Sequence, residues 1–294
     1  MNTIREILFV INPKAGNTDK EELLGFVEQF IKSQDIRLVT YKTVGKYDDH
    51  AITVLIKQHS FDRIFVAGGD GTIQMMAGIL MDYNIPLGIF PEGSANGLAL
   101  NLNIPNTTEE QLKVALSENI INLDVLRMND DICIHIADFG VNAELIKNFE
   151  EGSIRGKIGY ALKSIPTLLN TDYPFTFEIK ANGMTQTKEG AVLAIANAMK
   201  YGTGATVNPD GKMDDGFFEI IIFKNLNIID IIKTLTENNN LDPDFAEVIS
   251  TNNAEIICKS PVPFQVDGEY MGEITKLDIT VLKKKIAVAV PESA

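Results

Sequence analysis

Cysteine and histidine are scarce in this 294-residue chain, which has two of the first and three of the second. Cys133 and Cys258 each lie in an apolar, strand-like run, ICIHIA and EIICK. Buried, inert thiols are therefore expected rather than a disulfide framework. His50, His59 and His135 are scattered without metal-ligand spacing. Positive charge is also in deficit, since 26 Lys+Arg face 40 Asp+Glu and leave a formal charge of −14. A nucleic-acid partner, or wholesale binding to an anionic membrane, is disfavoured because phosphate-tracking surfaces need excess Lys and Arg. No apolar run approaches the ~18 residues a membrane span requires. The opening MNTIREILFVINPKAG lacks the parts of a signal peptide. The expectation is a cytoplasmic protein whose membrane contact is peripheral and transient, at the inner face. What is present is an ordinary globular composition, 45% hydrophobic and 22% charged, in a length suited to about two domains of ~150 residues.

The first ~125 residues alternate short apolar runs with segments of helical period, the pattern of βα units around a parallel sheet. Strands are expected at Glu6–Asn12, Ile36–Thr40, Arg63–Ala67 and Pro86–Phe90. Helices are expected at Asp19–Gln34, Asp48–His59, Thr72–Asp82 and Thr108–Asn119, the last opening on TEEQ at capping-box spacing. From Leu123 the texture changes to strand-like runs, VLRM, ICIHIA, FTFEIK, AVLAIA, FFEIIIF, AEIICK, TKLDITVL and IAVAV, separated by NG, DG and GT turns. Two helical stretches, Gly156–Leu169 and Leu226–Asn238, interrupt them. The fold class is an α/β N-terminal domain, residues 1–123, followed by a β-rich, sheet-on-sheet domain, residues 124–294.

The most specific local signal is Gly68-Gly69-Asp70-Gly71-Thr72, which follows the apolar run RIFVA and precedes a helix. Glycines at the carboxyl end of a parallel strand let backbone N–H groups approach phosphate oxygens with no Cβ in the way. A plain tight turn would use the same glycines. Asp70 beside phosphates suggests a cation or a proton to be handled, and hard Mg²⁺ takes carboxylate oxygens. Asn12-Pro13-Lys14-Ala15-Gly16-Asn17 and Pro91-Glu92-Gly93-Ser94-Ala95-Asn96-Gly97 are two further polar turns after strands. All three fall on the edge where α/β sheets bind ligands. No Walker A sequence occurs, and the GDGTIQ and GTGATV strings each miss the last glycine of a dinucleotide fingerprint. Asp138-Phe139-Gly140 imitates the metal motif of protein kinases without an HRD loop before it, which marks a coincidence.

The loops NPKAGN, GGDGT and PEGSANGLALNLNIP, in this order, resemble the superfamily of bacterial diacylglycerol-kinase-like enzymes, sphingosine kinases and ceramide kinases. The resemblance continues through Ala137–Leu145, Lys157–Tyr160, Asn208–Ile220 and Gln265–Tyr270 and covers nearly the whole chain. It implies a phosphofructokinase- and NAD-kinase-like first domain, a C-terminal β-sandwich that takes the lipid, and an ATP site in the cleft between them. It assigns Asn12, Pro13, Lys14, Ala15, Gly16, Thr43, Gly68, Gly69, Asp70, Gly71, Thr72, Ile73, Gln74, Gly93, Ser94 and Asn96 to the nucleotide. It also implies a structural Mg²⁺ held by the Asp215 carboxylate and main-chain oxygens around Lys212 and Phe217. The catalytic acids it implies are Asp267 and Glu269, one of them the base for the lipid hydroxyl, while the chemistry of the GGDGT loop itself makes Asp70 the first choice for the ATP-bound Mg²⁺ and a third catalytic candidate. From sequence alone, VDGE reads as an ordinary DG turn.

Phosphoryl transfer itself asks mainly for positioning and charge neutralisation, for which each part has a candidate here. The expected reaction is ATP- and Mg²⁺-dependent phosphorylation of a lipid alcohol. NAD kinase and a non-catalytic nucleotide- or lipid-binding regulator are the alternatives. Departures from the family pattern include Gly93–Leu100 in place of GTxNDFAR, and Tyr201-Gly202-Thr203-Gly204 in place of a GGG segment. The third loop is thus closer to the GSGN of sphingosine kinases. A basic, apolar stretch with Arg155, Lys157 and Lys163 is a candidate membrane contact, set against a solvated helix face next to Glu150 and Glu151. A homodimer is left open.

Overall fold

The computed structural model describes residues 4–16, 20–143, 173–201, 206–225 and 242–292. The expected helices Gly156–Leu169 and Leu226–Asn238, the basic stretch around Arg155, Lys157 and Lys163, and Gly202–Gly204 lie outside the described residues. The described chain forms two compact units, residues 1–123 with 284–294, and residues 124–283.

Unit 1 is an α/β layer structure. Its strands β1 (Glu6–Ile11), β2 (Arg37–Lys42), β3 (Arg63–Gly68) and β4 (Leu87–Pro91) are parallel in the order β2-β1-β3-β4. β1 and β3 are buried along almost their full length. Such unbroken apolar runs are what central parallel strands covered on both faces require. Phe9, Phe65 and Phe90 pack mutually at ring separations of 5.4 to 6.0 Å. Around them sit apolar side chains of α1 (Lys20–Ser33) and α5 (Thr108–Leu116). At Gly88 a Cβ would meet the Ala115 Cβ at 2.5 Å, so α5 lies close against β4. α2 (Asp48–Gln58) and α3 (Asp70–Leu80) complete the crossovers, and the short α4 (Gly97–Asn101) follows β4.

Element ends shift by one to three residues from expectation, as where β2 runs Arg37–Lys42 rather than Ile36–Thr40 and α5 stops at Leu116 rather than Asn119, and two helix starts show why. α3 begins at Asp70 rather than Thr72, because Gly69 is the extended N-cap and its carbonyl already accepts the N–H groups of Thr72 and Ile73. The capping box of α5 starts at Thr107, not Thr108. The Thr107 hydroxyl accepts from Glu110 N and donates to the Glu110 carboxylate.

Unit 2 is the β-sandwich. β5 (Ile120–Met128) leads into β6 (Asp131–Cys133) and β7 (Ile136–Gly140). Then come β8 (Phe175–Ala181), β9 (Met184–Gly190), β10 (Val192–Ala196), β11 (Phe218–Phe223) and β12 (Ala246–Thr251). The long β13 (Asn253–Val266) and β14 (Glu269–Ala289) close the order. Strands run antiparallel in the sequence β12-β11-β10-β7-β13. β13 changes sheets midway. Its first half pairs with β8 and its last three residues with β7, with a register shift between Ile257 and Val262. Ser260, Pro261 and the two residues before them occupy that irregularity, a position where proline costs no ladder bond. Phe177, Phe218, Phe264, Ile195, Ile220 and Ile256 are among the side chains filling the space between the layers. Both thiols, Cys133 and Cys258, are buried and free.

The sequence reading missed β9 and β12. β9 has Met184 as its one large apolar residue, and in β12 Val248 and Ile249 make a run of only two between Glu247 and Ser250, so neither carries the longer hydrophobic run that marked the others. It also divided β14 into TKLDITVL and IAVAV. The strand in fact continues through Lys284, which takes φ 53° between the two runs. Residues 284–294 were expected in the second domain but group with unit 1. Val288 pairs in parallel with Leu87, and Val290 N donates to Asn119 O.

Candidate active site

Three loops leave the carboxyl ends of neighbouring parallel strands in unit 1. Asn12–Gly16 follows β1, Gly68–Asp70 joins β3 to α3, and Pro91–Asn96 joins β4 to α4. Glycine decides how close they come. A Cβ on Gly93 would lie 2.5 Å from Gly69 Cα, and one on Gly16, at φ 58°, would lie 2.2 Å from the Glu92 carbonyl oxygen. No other residue type fits those two places without movement of backbone.

Side chains lock the same loops. Asn12 donates from Nδ2 to Thr72 Oγ1 at 3.0 Å and accepts Lys14 N on Oδ1. Asn96, at φ 57°, accepts Gly93 N at 2.7 Å and donates to the Gly93 and Pro91 carbonyls. Lys20 and Glu92 form an ion pair at 2.7 Å with both side chains largely buried. Asp70 accepts Gly97 N and Leu98 N, one on each oxygen, and so ties the second loop to the third. A carboxylate has about four lone-pair sites, so these bonds leave capacity for a cation.

Of the remaining sequence-designated residues, Gly71, Pro13, Lys14 and Ser94 are exposed, Ala15 and Gln74 are half-buried, and Ile73 faces the core. Ile73 can therefore offer a ligand only its main chain. Thr43, buried at the end of β2, donates its N–H to Ile11 O. Asp48 shapes the turn after it by accepting Val44 N, Gly45 N and the Tyr41 hydroxyl at 2.7 to 2.9 Å. Burial works against the charged form of Asp48, yet the bonds from Val44, Tyr41 and Gly45 prevail and hold it below the usual carboxylate range. The Tyr41 phenol is pushed up to about 12 by burial and by Asp48.

In unit 2, the two-residue hairpin loop Asp267-Gly268 joins β13 to β14, and Glu269 is the first residue of β14. Asp267 and Gly268 take φ 49° and 91°, the positive values a tight Asp-Gly hairpin demands. The Asp267 carboxylate accepts the backbone N–H groups of Ile134, His135 and Ile136 at 2.9 to 3.1 Å, and the Cys133 thiol at 3.2 Å. Burial raises its pKa, while the His135 charge and these bonds pull the other way. Glu269 is exposed. The pair therefore presents one carboxylate anchored in main-chain donors and one open to solvent.

The residues designated for a structural metal lie on the loop before β11. Asp215 Oδ1 accepts Phe217 N at 2.9 Å, which curls residues 215–217 around the carboxylate, and Asp215, Lys212 and Phe217 are exposed. Asp124, fully buried on β5, accepts Gly216 N at 2.6 Å and donates its own N–H to Met213 O. An all-oxygen set of one carboxylate and main-chain carbonyls suits Mg²⁺ by donor chemistry. Among the described residues no cluster of three His, Cys, Asp or Glu side chains is arranged for a metal.

Sequence reasoning passed over Asp48, Asp124, Asp138 and Gln265. Asp138 is completely buried on β7, where its Oδ2 accepts from Asn142, Tyr201 and Gln265. Desolvation raises its pKa to about 6 against the pull of these bonds. A signal did exist for Asp124 and Asp138, since each is a single acid inside an apolar strand run, INLDVL and IADFG. A carboxylate is buried at such a place only when donors meet it.

A glycine-looped α/β unit with a β-sandwich downstream defines a class of two-domain proteins, and comparison with known proteins names the family. Residues 6–128 match the diacylglycerol kinase catalytic domain, and residues 136–290 match the YegS C-terminal NAD kinase beta sandwich-like domain. A Staphylococcus epidermidis protein named "Putative lipid kinase" is 31% identical over 287 residues, covering 92% of each chain. The "Probable lipid kinase YegS" of Escherichia fergusonii is 26% identical over 89% of this chain and 88% of its own. In fold, a crystal structure of a diacylglycerol kinase from Bacillus anthracis superposes with a TM-score of 0.78 at 18% identity, covering 99% of this chain and 98% of the other. The chain belongs to the YegS-like lipid kinase family, with a diacylglycerol kinase catalytic domain.

Proposed function

We propose that this protein transfers the γ-phosphoryl group of ATP, with Mg²⁺, to the hydroxyl of a lipid alcohol such as a diacylglycerol or a sphingoid base. The observation that supports this most is the contact of Gly69 with Gly93, which draws two glycine loops together at the carboxyl edge of the parallel sheet. Main-chain N–H groups of Asn12–Gly16, Gly68–Gln74 and Gly93–Asn96 would hold the phosphates, with Thr43 close to the nucleotide. Asp70 would hold the Mg²⁺ that travels with ATP, and that ion supplies neutralisation of the charge growing on the phosphoryl oxygens. Asp215 and the carbonyls of Lys212 and Phe217 would hold a second, structural ion. Asp267 and Glu269 supply the acceptor for the hydroxyl proton, and a carboxylate raised by burial is the better base of the two kinds.

Residues 1–123, completed by 284–294, would thus act as the nucleotide part and residues 124–283 as the lipid part. Contact with the inner face of the membrane is peripheral and transient. No helix among the described residues is long and apolar enough to cross a membrane.

A second reading, NAD kinase, draws on the beta-sandwich description shared by residues 136–290. One assay separates the two. Purified protein with Mg²⁺ and γ-labelled ATP is offered diacylglycerol in mixed micelles, sphingosine, monoacylglycerol or NAD. Label in an organic-extractable product supports the proposal and names the lipid. Label in NADP overturns it in favour of NAD kinase, and ATP binding without transfer to any acceptor overturns it in favour of a regulator.

A further inference from the structure

Strand register places Asp138 directly opposite Gln265 on one side and Ala194 on the other. Their neighbours Ala137, Phe139, Phe264, Val266, Leu193 and Ile195 all fill the sandwich core. By the two-residue period of a strand, Asp138 and Gln265 therefore share the opposite face. Ala194 is small enough there to leave the carboxylate room. Both polar side chains are buried, Asp138 completely and Gln265 to within 1%.

The chemistry of the two groups fixes how they meet. A carboxylate only accepts, so Gln265 must turn its amide nitrogen to Asp138, and Nε2 donates to Oδ2 at 2.5 Å. Its carbonyl oxygen then points the other way and accepts Gly268 N at 2.8 Å. Gly268 is the central glycine of the hairpin between Asp267 and Glu269. The same Asp138 oxygen also collects Asn142 Nδ2 at 2.6 Å and the Tyr201 hydroxyl at 2.9 Å. Three stretches of chain far apart in sequence, at residues 138–142, 201 and 265–268, thus meet at one carboxylate, and one of the ties ends on the hairpin amide.

We infer that Asp138 is a positioning residue for the acidic hairpin, acting through the Gln265 amide to fix where Asp267 and Glu269 present their carboxylates. The inference rests on the reading of those two acids as the proton-accepting pair. With Asp138 in place, only one orientation of the Gln265 amide satisfies both of its neighbours. Without it, the amide is free to turn over and Gly268 N loses its acceptor.

A polarity swap tests this. Gln265→Glu sets a carboxylate against Asp138, and the reversed pair, Asp138→Asn with Gln265→Glu, restores a donor facing an acceptor while keeping an acceptor for Gly268 N. Gln265→Glu is expected to lower kcat on the order of 100-fold, the scale of an ångström-sized displacement of a catalytic group. KM for ATP should stay within about twofold, as the nucleotide loops are untouched, and the double variant should regain about tenfold or more of the lost kcat. Hydrogen exchange at the Gly268 amide reads the same tie without any substrate. It should speed up about tenfold in Gln265→Glu and slow again in the double variant.

Should Gln265→Glu fail to fold, Asp138→Asn keeps the shape. It is expected to accelerate Gly268 exchange about threefold, because the amide at 138 accepts either orientation of Gln265. Unchanged Gly268 exchange in the variant that folds, or a double variant no better than Gln265→Glu, overturns the inference. If the wild-type protein phosphorylates no lipid while Gly268 exchange follows the swap, the kinase reading fails and the positioning of the hairpin stands.

Discussion

Unit 1 and unit 2 organise their polar groups in opposite ways. In unit 1 each candidate ligand-binding loop is continuous in sequence and begins where a parallel strand ends, so backbone N–H groups and small residues carry the geometry. In unit 2 the acidic hairpin is held by groups 127 to 134 positions away, buried side chains and main-chain N–H groups that meet only across strands. A loop at a strand end can be read as a string, while a cross-strand contact exists only once register is set. The first arrangement should fail through steric intrusion, the second through charge and desolvation.

The largest effect is expected from steric intrusion in unit 1. Gly93→Ala places a Cβ 2.5 Å from Gly69 Cα and should weaken ATP-analogue binding on the order of 100-fold or more, measured by calorimetry, while hydrogen exchange at the Gly268 amide stays as in the wild type. Equal loss of protection in both places would mean that the two units do not fail separately.

Charge should govern unit 2. Asp138 is raised from 3.8 to about 6 in the folded state, so the folded protein binds this proton more tightly than the unfolded chain. Stability therefore declines as pH rises from about 4 through 6, by about 3 kcal/mol in all. The difference between wild type and Asp138→Asn, followed by denaturant unfolding at pH 4 to 8, should trace that decline. A difference that is flat with pH would show that the group is not raised.

Asp48 carries the opposite sign. Held below the usual range, it contributes stability that is complete above pH ~4 and lost as pH falls through its folded value. Asp48→Ala strips the acceptor from Val44 N, Gly45 N and Tyr41 and should cost about 1 to 3 kcal/mol at neutral pH. The Tyr41 phenol should titrate below about 12 in that variant, which ultraviolet absorbance follows directly. The smallest expected change is at the α5 cap, where Thr107→Ala should cost about 1 kcal/mol in thermal unfolding and leave nucleotide binding untouched.

The same contrast explains what could be read from the sequence. Asn12, Gly69, Asp70, Gly93 and Asn96 announced themselves because turn residues sat directly after apolar runs, and the structure places them on three adjoining loops. Helix limits near Asp70 and Thr107 slipped because a glycine N-cap and a threonine pair leave the first turn ambiguous by a residue or two. The parallel sheet was legible from its unbroken apolar strands. β9 and β12 were not, since polar edge strands have no such run. Apart from the family resemblance, Asp267 was legible only as part of a DG turn, and nothing local told that its carboxylate would gather the amides of residues 134–136. Asp138 was set aside as an accidental motif, because what makes it consequential is Gln265, 127 residues further on.

The grouping of residues 284–294 with unit 1 has a meaning for biosynthesis. Domains generally form in order as a chain emerges from the ribosome. Here the strand segment beside β4 and the carbonyls of Val290 and Pro291 that receive Asn119 Nδ2 are translated only after all of unit 2. The half that is synthesised first is the half that is finished last, and until then the edge of β4 must wait uncovered.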